Sequence, residues 1–259
     1  MNFVMDTNIS SNYKNNSQKA RVITETWVLE NFKCPFCNSK LTQYTANNKC
    51  ADYYCKKCNE DFELKTINGK FPKNKMNGAG YKATLDKINS DKSSHWILLE
   101  HNDFTVNGLT FIPKYFFYDE MIEPRKELSE NARRHGWQGC RIALNMIPSF
   151  GKISYIKNNK EVDKKIITYK LKKSSAFKES NLKNKNWKLE ILSLIDANIK
   201  ETIFSVNDLY ELIPTLKEKH PGNHNIEAKI RETLQQLRDE GYVKFLDKEG
   251  FKGLYQKLF

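Results

Sequence analysis

The sequence lacks any apolar run of the roughly 18 to 20 residues that a membrane-spanning helix requires. Its first residues, MNFVMDTNISSNYKNN, also lack the basic start and apolar stretch of a secretory signal. We therefore predict a cytoplasmic protein with no membrane partner. There is no G-x-x-x-x-G-K-[S/T] phosphate loop either, which argues against an ATP-driven enzyme and against any nucleotide cofactor.

Acidic residues are scarce relative to basic ones. The 259 residues include 31 Asp and Glu against 43 Lys and Arg, giving a formal net charge of +12. A broad positive potential favours a polyanionic partner. Ribosomal and membrane-surface proteins show the same balance, so the partner has to be identified from motifs.

Six cysteines in a reducing compartment are poor candidates for a disulfide framework and better ones for a metal site. Four of them form two matched C-x-x-C knuckles, Cys34-Pro-Phe-Cys37 and Cys55-Lys-Lys-Cys58. Four thiolates complete a tetrahedral Zn²⁺ shell with no open position, so we predict a structural zinc. The alternatives are a redox pair or unrelated buried thiols, and ordinary burial explains Cys50 and Cys140.

A second constellation overlaps the knuckles. Asp52 precedes Cys55, and the segment Phe62-Glu63-Leu64-Lys65 follows Cys58. On a strand, Glu63 and Lys65 project to the same face. We predict that Asp52, Glu63 and the carbonyl of Leu64 hold Mg²⁺, with Lys65 orienting the attacking water or stabilising developing charge. The alternative is a solvated strand face, since Glu-x-Lys recurs by chance in a charged chain.

The N-terminal part alternates helix and strand patterns. Apolar spacing predicts a helix over residues 17 to 32 with Ser17 as a possible cap, and alternation predicts a strand over 61 to 66. The segment 68 to 80 is rich in Asn, Gly and Lys and is typical of a mobile basic loop beside the active site. We read 81 to 89 as a short helix.

Further strands are predicted at 95 to 99, 109 to 113 and 115 to 117, with a hairpin about Asn158-Asn159. Together these patterns indicate an α/β catalytic domain. A polar, lysine-rich segment follows, and we place the domain boundary after residue 182.

Beyond that boundary the chain is helical over 186 to 198, 205 to 219 and 225 to 241, and then alternates about a Lys248-Glu249-Gly250 turn. The third helix has Asn225 as a possible cap and Gly241 at its end. Three helices and a β-hairpin make a winged helix, whose third helix normally enters the major groove.

Two segments carry candidate DNA contacts, the arginine-rich run Arg133-Arg134-His135-Gly136-Trp137 and the polar side of the third C-terminal helix. A surface basic turn with Trp137 in the core, and an ordinary exposed helix face, are the alternatives. The candidates are Arg133, Arg134, Trp137, Asn225, Lys229, Arg231 and Gln235.

The runs SQKAR, CPFC, ADYYCKKCNEDFELK, ARRHGWQGC and NIEAKIRETLQQLRDEG, in this order across almost the whole chain, resemble the DpnI family of methyl-directed type II restriction endonucleases. The resemblance implies a PD-(D/E)xK nuclease-like catalytic domain over residues 1–182 with a structural zinc, followed by a mostly α winged-helix domain over 183–259. Asp52, Glu63 and Lys65 match the catalytic positions, while Ala51 stands where the name-giving proline would be.

The resemblance further implies cleavage of double-stranded DNA at GATC carrying N6-methyladenine, with both domains reading the site and Trp137 as the methyl-reading candidate. We expect a monomer in solution. A non-catalytic zinc-ribbon and winged-helix regulator and an endonuclease without methyl dependence are the alternatives. A third Mg²⁺ ligand is not identified, although Gln18 and Glu25 on the first helix are candidates.

Overall fold

The computed structural model describes residues 1–45, 51–179, 182–248 and 251–259. Cys50 and two residues of the predicted Lys248-Glu249-Gly250 turn lie outside this part. The helices are α1 Asn16–Asn31, α2 Tyr81–Ile88, α3 Lys164–Ser175, α4 Leu182–Asn198, α5 Val206–Tyr210, α6 Ile213–Lys219 and α7 Ile226–Asp239. The strands are β1 Thr42–Gln43, β2 Tyr53–Tyr54, β3 Asp61–Asn68, β4 Lys75–Gly80, β5 His95–Asn102, β6 Thr105–Ile112, β7 Ile122–Pro124, β8 Gly139–Ala143, β9 Ile153–Lys157, β10 Lys160–Glu161, β11 Ile203–Ser205, β12 Val243–Lys248 and β13 Phe251–Lys257.

A seven-stranded sheet of order β1-β2-β3-β5-β6-β9-β10 organises the N-terminal half. Strands β3 and β5 are parallel, and the other neighbours are antiparallel. Helix α1 covers one face, where Ile23, Trp27 and Val28 share a core cluster with Phe62 and Leu99 of the sheet. The predicted α/β architecture of this half is confirmed.

A second, three-stranded sheet of order β4-β8-β7 packs beside the first. It includes half of the segment that we predicted as a mobile loop. That prediction is wrong for β4, because Met76 is buried and its strand pairs with β8. The asparagines and glycines of this strand suggested a loop, but Gly78 is required here, since a Cβ at this position would lie 2.4 Å from the sulfur of Cys140.

Most of the other predicted elements are found, although the single helix predicted over 205 to 219 is divided into α5 and α6. Asn15, rather than Ser17, caps α1 by accepting a hydrogen bond from the N–H of Ser17 at 2.8 Å. The predicted strand at 115 to 117 is instead a 3-10 turn over Lys114–Phe116. Its aromatic side chains enter the core from this turn, which explains their apolar run.

The C-terminal half contains α4 to α7 and a small sheet of order β11-β13-β12, so the predicted winged helix is confirmed. Asn225 occupies the cap position of α7, but its side chain makes no capping hydrogen bond, which corrects that detail. Gly241 follows the helix with φ +74°, and the N–H of Tyr242 donates to the carbonyl of Leu237 at 2.8 Å. Glycine adopts this left-handed closure without steric cost.

The two halves share one apolar core. The ring of Tyr242 lies 4.9 Å from that of Phe177 and 5.4 Å from that of Phe150, and its hydroxyl donates to the carbonyl of Lys173 at 2.8 Å. The winged helix is therefore packed against the N-terminal half. Among the described residues, no helix has the length and apolarity that crossing a membrane would demand.

Candidate active site and metal centre

Strand β3 carries the predicted acid and lysine on one face. Glu63 and Lys65 alternate with buried Phe62, and Glu63 pairs in register with Trp96 of β5. Since strand side chains alternate with a period of two, Phe62 enters the α1 side of the core while Glu63 and Lys65 face α2. The ammonium of Lys65 lies 5.4 Å from the centre of the Trp96 ring.

Glu63 is held between two lysines. Lys65 forms an ion pair with one carboxylate oxygen, and the ammonium of Lys87, on α2, lies 2.6 Å from the other. Burial alone would raise the pKa of Glu63, but Lys65 and Lys87 outweigh it and hold the pKa below its ordinary value. Glu63 is therefore ionised at neutral pH, which a metal-ligating carboxylate requires.

Asp52 lies at the edge of β3. Its backbone N–H donates to the carbonyl of Phe62 at 3.0 Å, and its carboxylate accepts the N–H of Leu64 at 2.7 Å. Burial raises the pKa of Asp52, the hydrogen bond from Leu64 opposes this, and the charges of Glu63 and Lys65 are close enough to contribute. The structure thus brings Asp52, Glu63, Leu64 and Lys65 into one neighbourhood.

A cavity of about 220 Å³ opens in front of Glu63 and Lys65. Its other walls come from α2, from the start of β5 and from the second sheet. They include Gly78, Lys87, Trp96 and Ile142. This cavity combines a carboxylate, the ligand type that Mg²⁺ takes, with two ammonium groups, which suit a phosphate group.

The two first-helix candidates lie elsewhere. Gln18 and Glu25 line a separate cavity of about 440 Å³. Glu25 is buried and accepts hydrogen bonds from Arg21 at 2.6 Å and Gln43 at 2.7 Å. Glu25, and more weakly Asp52, raise the pKa of Arg21, which also lines this second cavity. Neither Gln18 nor Glu25 joins Glu63 in the first cavity.

The four knuckle cysteines converge on one point. Their sulfur atoms all lie within 4.8 Å of one another, with Cys34 and Cys58 at 3.5 Å and Cys37 and Cys55 at 3.3 Å. A tetrahedral zinc with bonds of about 2.3 Å places its sulfurs about 3.8 Å apart. The cluster is consistent with a zinc ion and fits that ion in both donor type and spacing.

A partly buried acid connects this cluster to distant segments. Glu60 follows Cys58, and its carboxylate contacts Nε2 of His95 at 3.1 Å, Lys114 at 2.8 Å and Lys178 at 3.3 Å. The hydrogen bond from His95 and the contact with Lys114 hold the pKa of Glu60 well below its ordinary range. The knuckle that precedes β3 is thereby anchored to the sheet.

Comparison with protein-family models matches residues 1–180 to the DpnI, Dam-replacing family and residues 183–257 to the Dam-replacing HTH domain. The chain belongs to the Dam-replacing DpnI family. Membership makes this protein a DNA-binding restriction endonuclease. In this DpnI-family protein, the catalytic-domain match spans the knuckles and the Glu63 cavity, and the helix-turn-helix match spans α7.

The arginine-rich candidate loop of this DpnI-family protein surrounds Trp137. The indole lies over Gly139, where a Cβ would approach the ring to 2.9 Å, and the guanidinium of Arg134 lies 4.8 Å from its centre. Arg133 is exposed. The indole of Trp137 is half-buried. It is therefore neither in the core nor fully exposed, the two alternatives that the sequence left open.

Helix α7 separates its candidates into two groups. Asn225, Arg231 and Gln235 are exposed. The ammonium of Lys229 is instead paired with Glu232 at 3.0 Å. Arg231 and Gln235 are one helical turn apart, so they point outward on the same side.

Sequence reasoning missed Lys87 and Trp96. No local motif distinguishes Lys87 from the many other lysines, because only the packing of α2 against β3 brings it to Glu63. Trp96 lies within a run that correctly predicted a strand. Its parallel register with β3, which places it beside Glu63, depends on long-range pairing.

Proposed function

We propose that this protein is a Mg²⁺-dependent endonuclease that cuts both strands of DNA at GATC sites carrying N6-methyladenine. The observation that supports this most is the cavity beside Asp52 in which Glu63 and Lys65 lie side by side. We further propose that the nuclease domain spans residues 1–182 and the winged helix 183–259.

Asp52 and Glu63 would supply the carboxylate oxygens, and Leu64 the carbonyl, that Mg²⁺ prefers. Bound there, the ion would polarise the phosphodiester and lower the pKa of the attacking water. Lys65 orients that water or stabilises the developing negative charge. Lys87 keeps Glu63 ionised and adds positive charge on the phosphate side of the cavity.

Zn²⁺ at the four cysteines has a structural role in this proposal. Cys55 and Cys58 lie within the segment that joins Asp52 to β3, so fixing the knuckle also fixes the spacing of Asp52 and Glu63. The closed sulfur shell leaves no position for water, which excludes this ion from the chemical step.

Methyl discrimination requires more than one contact. Burying one methyl group contributes only about 0.8 kcal/mol, which is too little for strict selection at a single position. Trp137 offers an apolar wall in the nuclease domain, while Arg133 and Arg134 beside it supply positive charge for phosphates. The α7 region gives the second reading of the site, through Asn225, Lys229, Arg231 and Gln235. Two readings would multiply the discrimination between methylated and unmethylated DNA.

Plasmids with GATC sites, either adenine-methylated or unmethylated, test this function directly. Purified full-length protein with Mg²⁺ should linearise and fragment only the methylated plasmid, and EDTA should stop the reaction. Cutting of both plasmids would retain the nuclease and refute methyl dependence. Binding without cutting at any Mg²⁺ concentration would favour the non-catalytic regulator.

A further inference from the structure

The three-stranded sheet β4-β8-β7 has one buried and one exposed face. Met76, Ile142 and Ile122 lie in register across the three strands, and all three are buried. The next row across the sheet is polar and consists of Asn77, Arg141 and Glu123. Around Arg141 this row is exposed to solvent, although Gly139 and Ala143, on the same face of β8, are buried.

That outer face is positively charged and groove-shaped. A shallow groove of about 460 Å³ runs along it, lined by Pro72, Lys73, Asn74, Lys75, Asn77 and Arg141. The ammonium of Lys75 lies 2.7 Å from a carboxylate oxygen of Glu123. Arg141 is exposed and has no hydrogen bond or ion pair from its side chain within the described part of the chain. An unpaired guanidinium in the centre of a sheet is available to a ligand.

The same sheet also forms a wall of the Glu63 cavity. Gly78 and Ala79 of β4, with Ile142 of β8, line that cavity, and Asn77 and Arg141 are their immediate chain neighbours. Adjacent strand residues are about 3.3 Å apart along the chain. Because neighbouring strand residues point to opposite faces, Asn77 and Arg141 lie across one sheet layer from the cavity wall.

We propose that the exposed part of the β4–β8 face lies against the major groove of the target and that Arg141 reads a guanine there. This inference rests on the proposed function, whose site contains a guanine next to the methylated adenine on each strand. β-Sheets as well as helices can present side chains to base edges in a groove. The two parallel N–H donors of a guanidinium match O6 and N7 of guanine. Lys73, at the rim of the groove, contacts a phosphate.

An atomic change in the DNA tests the contact directly. Full-length protein is given methylated GATC duplexes with either guanine or 7-deazaguanine, which lacks the N7 acceptor, and cleavage rates are measured with Mg²⁺. A lost bidentate contact of about 1–3 kcal/mol corresponds to a fall of about 5- to 150-fold. Wild type should lose part of this factor on 7-deazaguanine, because the analogue lacks N7 but keeps O6. Arg141→Ala should lose the whole factor on guanine and lose nothing more on 7-deazaguanine.

Two further variants make the result specific. Arg141→Lys keeps the charge but not the fork, so it should resemble Arg141→Ala on guanine. Lys164→Ala, exposed on α3 away from this sheet, is the matched control and should behave as wild type.

An Arg141→Ala protein that retains the full 7-deazaguanine penalty would overturn the proposal, as would an Arg141→Lys protein with wild-type rates. Failure of the proposed function is distinguishable, because wild type would then not cut the methylated guanine duplex at all.

Discussion

The two halves of the molecule hold their charged side chains in opposite environments. In the nuclease half, Glu63 is 19% exposed and paired with Lys65 and Lys87 inside a cavity. In the winged helix, Arg231 and Gln235 lie on an open helix face. Charges interact more strongly in a water-poor cavity than in bulk solvent. Substitutions in the Glu63 cavity should therefore alter the cleavage rate or the folding of the protein. Substitutions on the exposed face of α7 should alter the affinity for DNA.

Loss of the zinc ligands should produce the largest effect. This effect should begin in the nuclease half, where the ligands lie. Structural zinc contributes about 10–16 kcal/mol in small zinc domains, comparable with the whole stability of a domain. We expect Cys55→Ser to abolish zinc binding, folding of the cluster and cleavage. Metal analysis and circular dichroism measure this, with Cys140→Ala, outside the cluster, as the control. A folded, zinc-free Cys55→Ser protein would contradict the structural role.

The shared core sets a limit on how independent the two halves are. Phe177 is fully buried and contacts Phe116, Phe150 and Tyr242, the last from the winged helix. Phe177→Ala should cost about 3–5 kcal/mol through lost burial and a cavity. Calorimetry should show one unfolding transition moved to lower temperature. Two transitions, with only one of them displaced, would mean that the halves unfold separately.

On α7, neighbouring cations should differ in their effect on DNA binding. Arg231 is exposed, whereas Lys229 is paired with Glu232. We expect Arg231→Ala to weaken binding to methylated GATC by about 5- to 150-fold, as for loss of a base contact, and Lys229→Ala to weaken it less. Fluorescence anisotropy at two salt concentrations measures both. Equal losses would remove the distinction between the two positions.

The smallest effect concerns the ionisation of Glu63. Because its pKa is depressed, its ion pairs stabilise the fold above about pH 4.3, and this stabilisation disappears as the pH falls through the folded-state pKa. Lys87→Met should raise the Glu63 pKa in metal-free protein, because it removes one of the two charges that lower this pKa. Carboxyl carbon NMR detects the shift, and Lys82→Met, exposed on the same helix, should not cause it. An unchanged pKa would mean that Lys65 alone controls Glu63.

Local periodicity accounted for much of the fold. The strand period of two correctly placed Glu63 and Lys65 on the same face. The spacing of the two knuckles correctly indicated a four-cysteine cluster. Both patterns could be read because they depend on residues that are near one another in the sequence. The winged helix was likewise predictable from its apolar helix stripes. The catalytic roles, the Mg²⁺ ligands and the DNA contacts remain predictions.

What the sequence could not supply depends on long-range pairing. Strand β4 is polar and glycine-rich, and only its pairing with β8 distinguishes it from a loop. Lys87 reaches Glu63, and Glu25 lies in a different cavity, because of how two helices pack on opposite faces of β3. Such packing is decided by tertiary contacts rather than by local propensity.

The most direct test separates binding from cleavage at Glu63. Full-length wild type, Glu63→Gln and the exposed control Glu30→Gln are compared on a methylated GATC duplex, for binding without Mg²⁺ and for single-turnover cleavage with it. We predict near-equal binding by all three and a loss of cleavage of about 100-fold or more for Glu63→Gln alone, because the change removes a metal-ligating charge. A Glu63→Gln protein that cuts at the wild-type rate would contradict the assignment of this cavity as the active site.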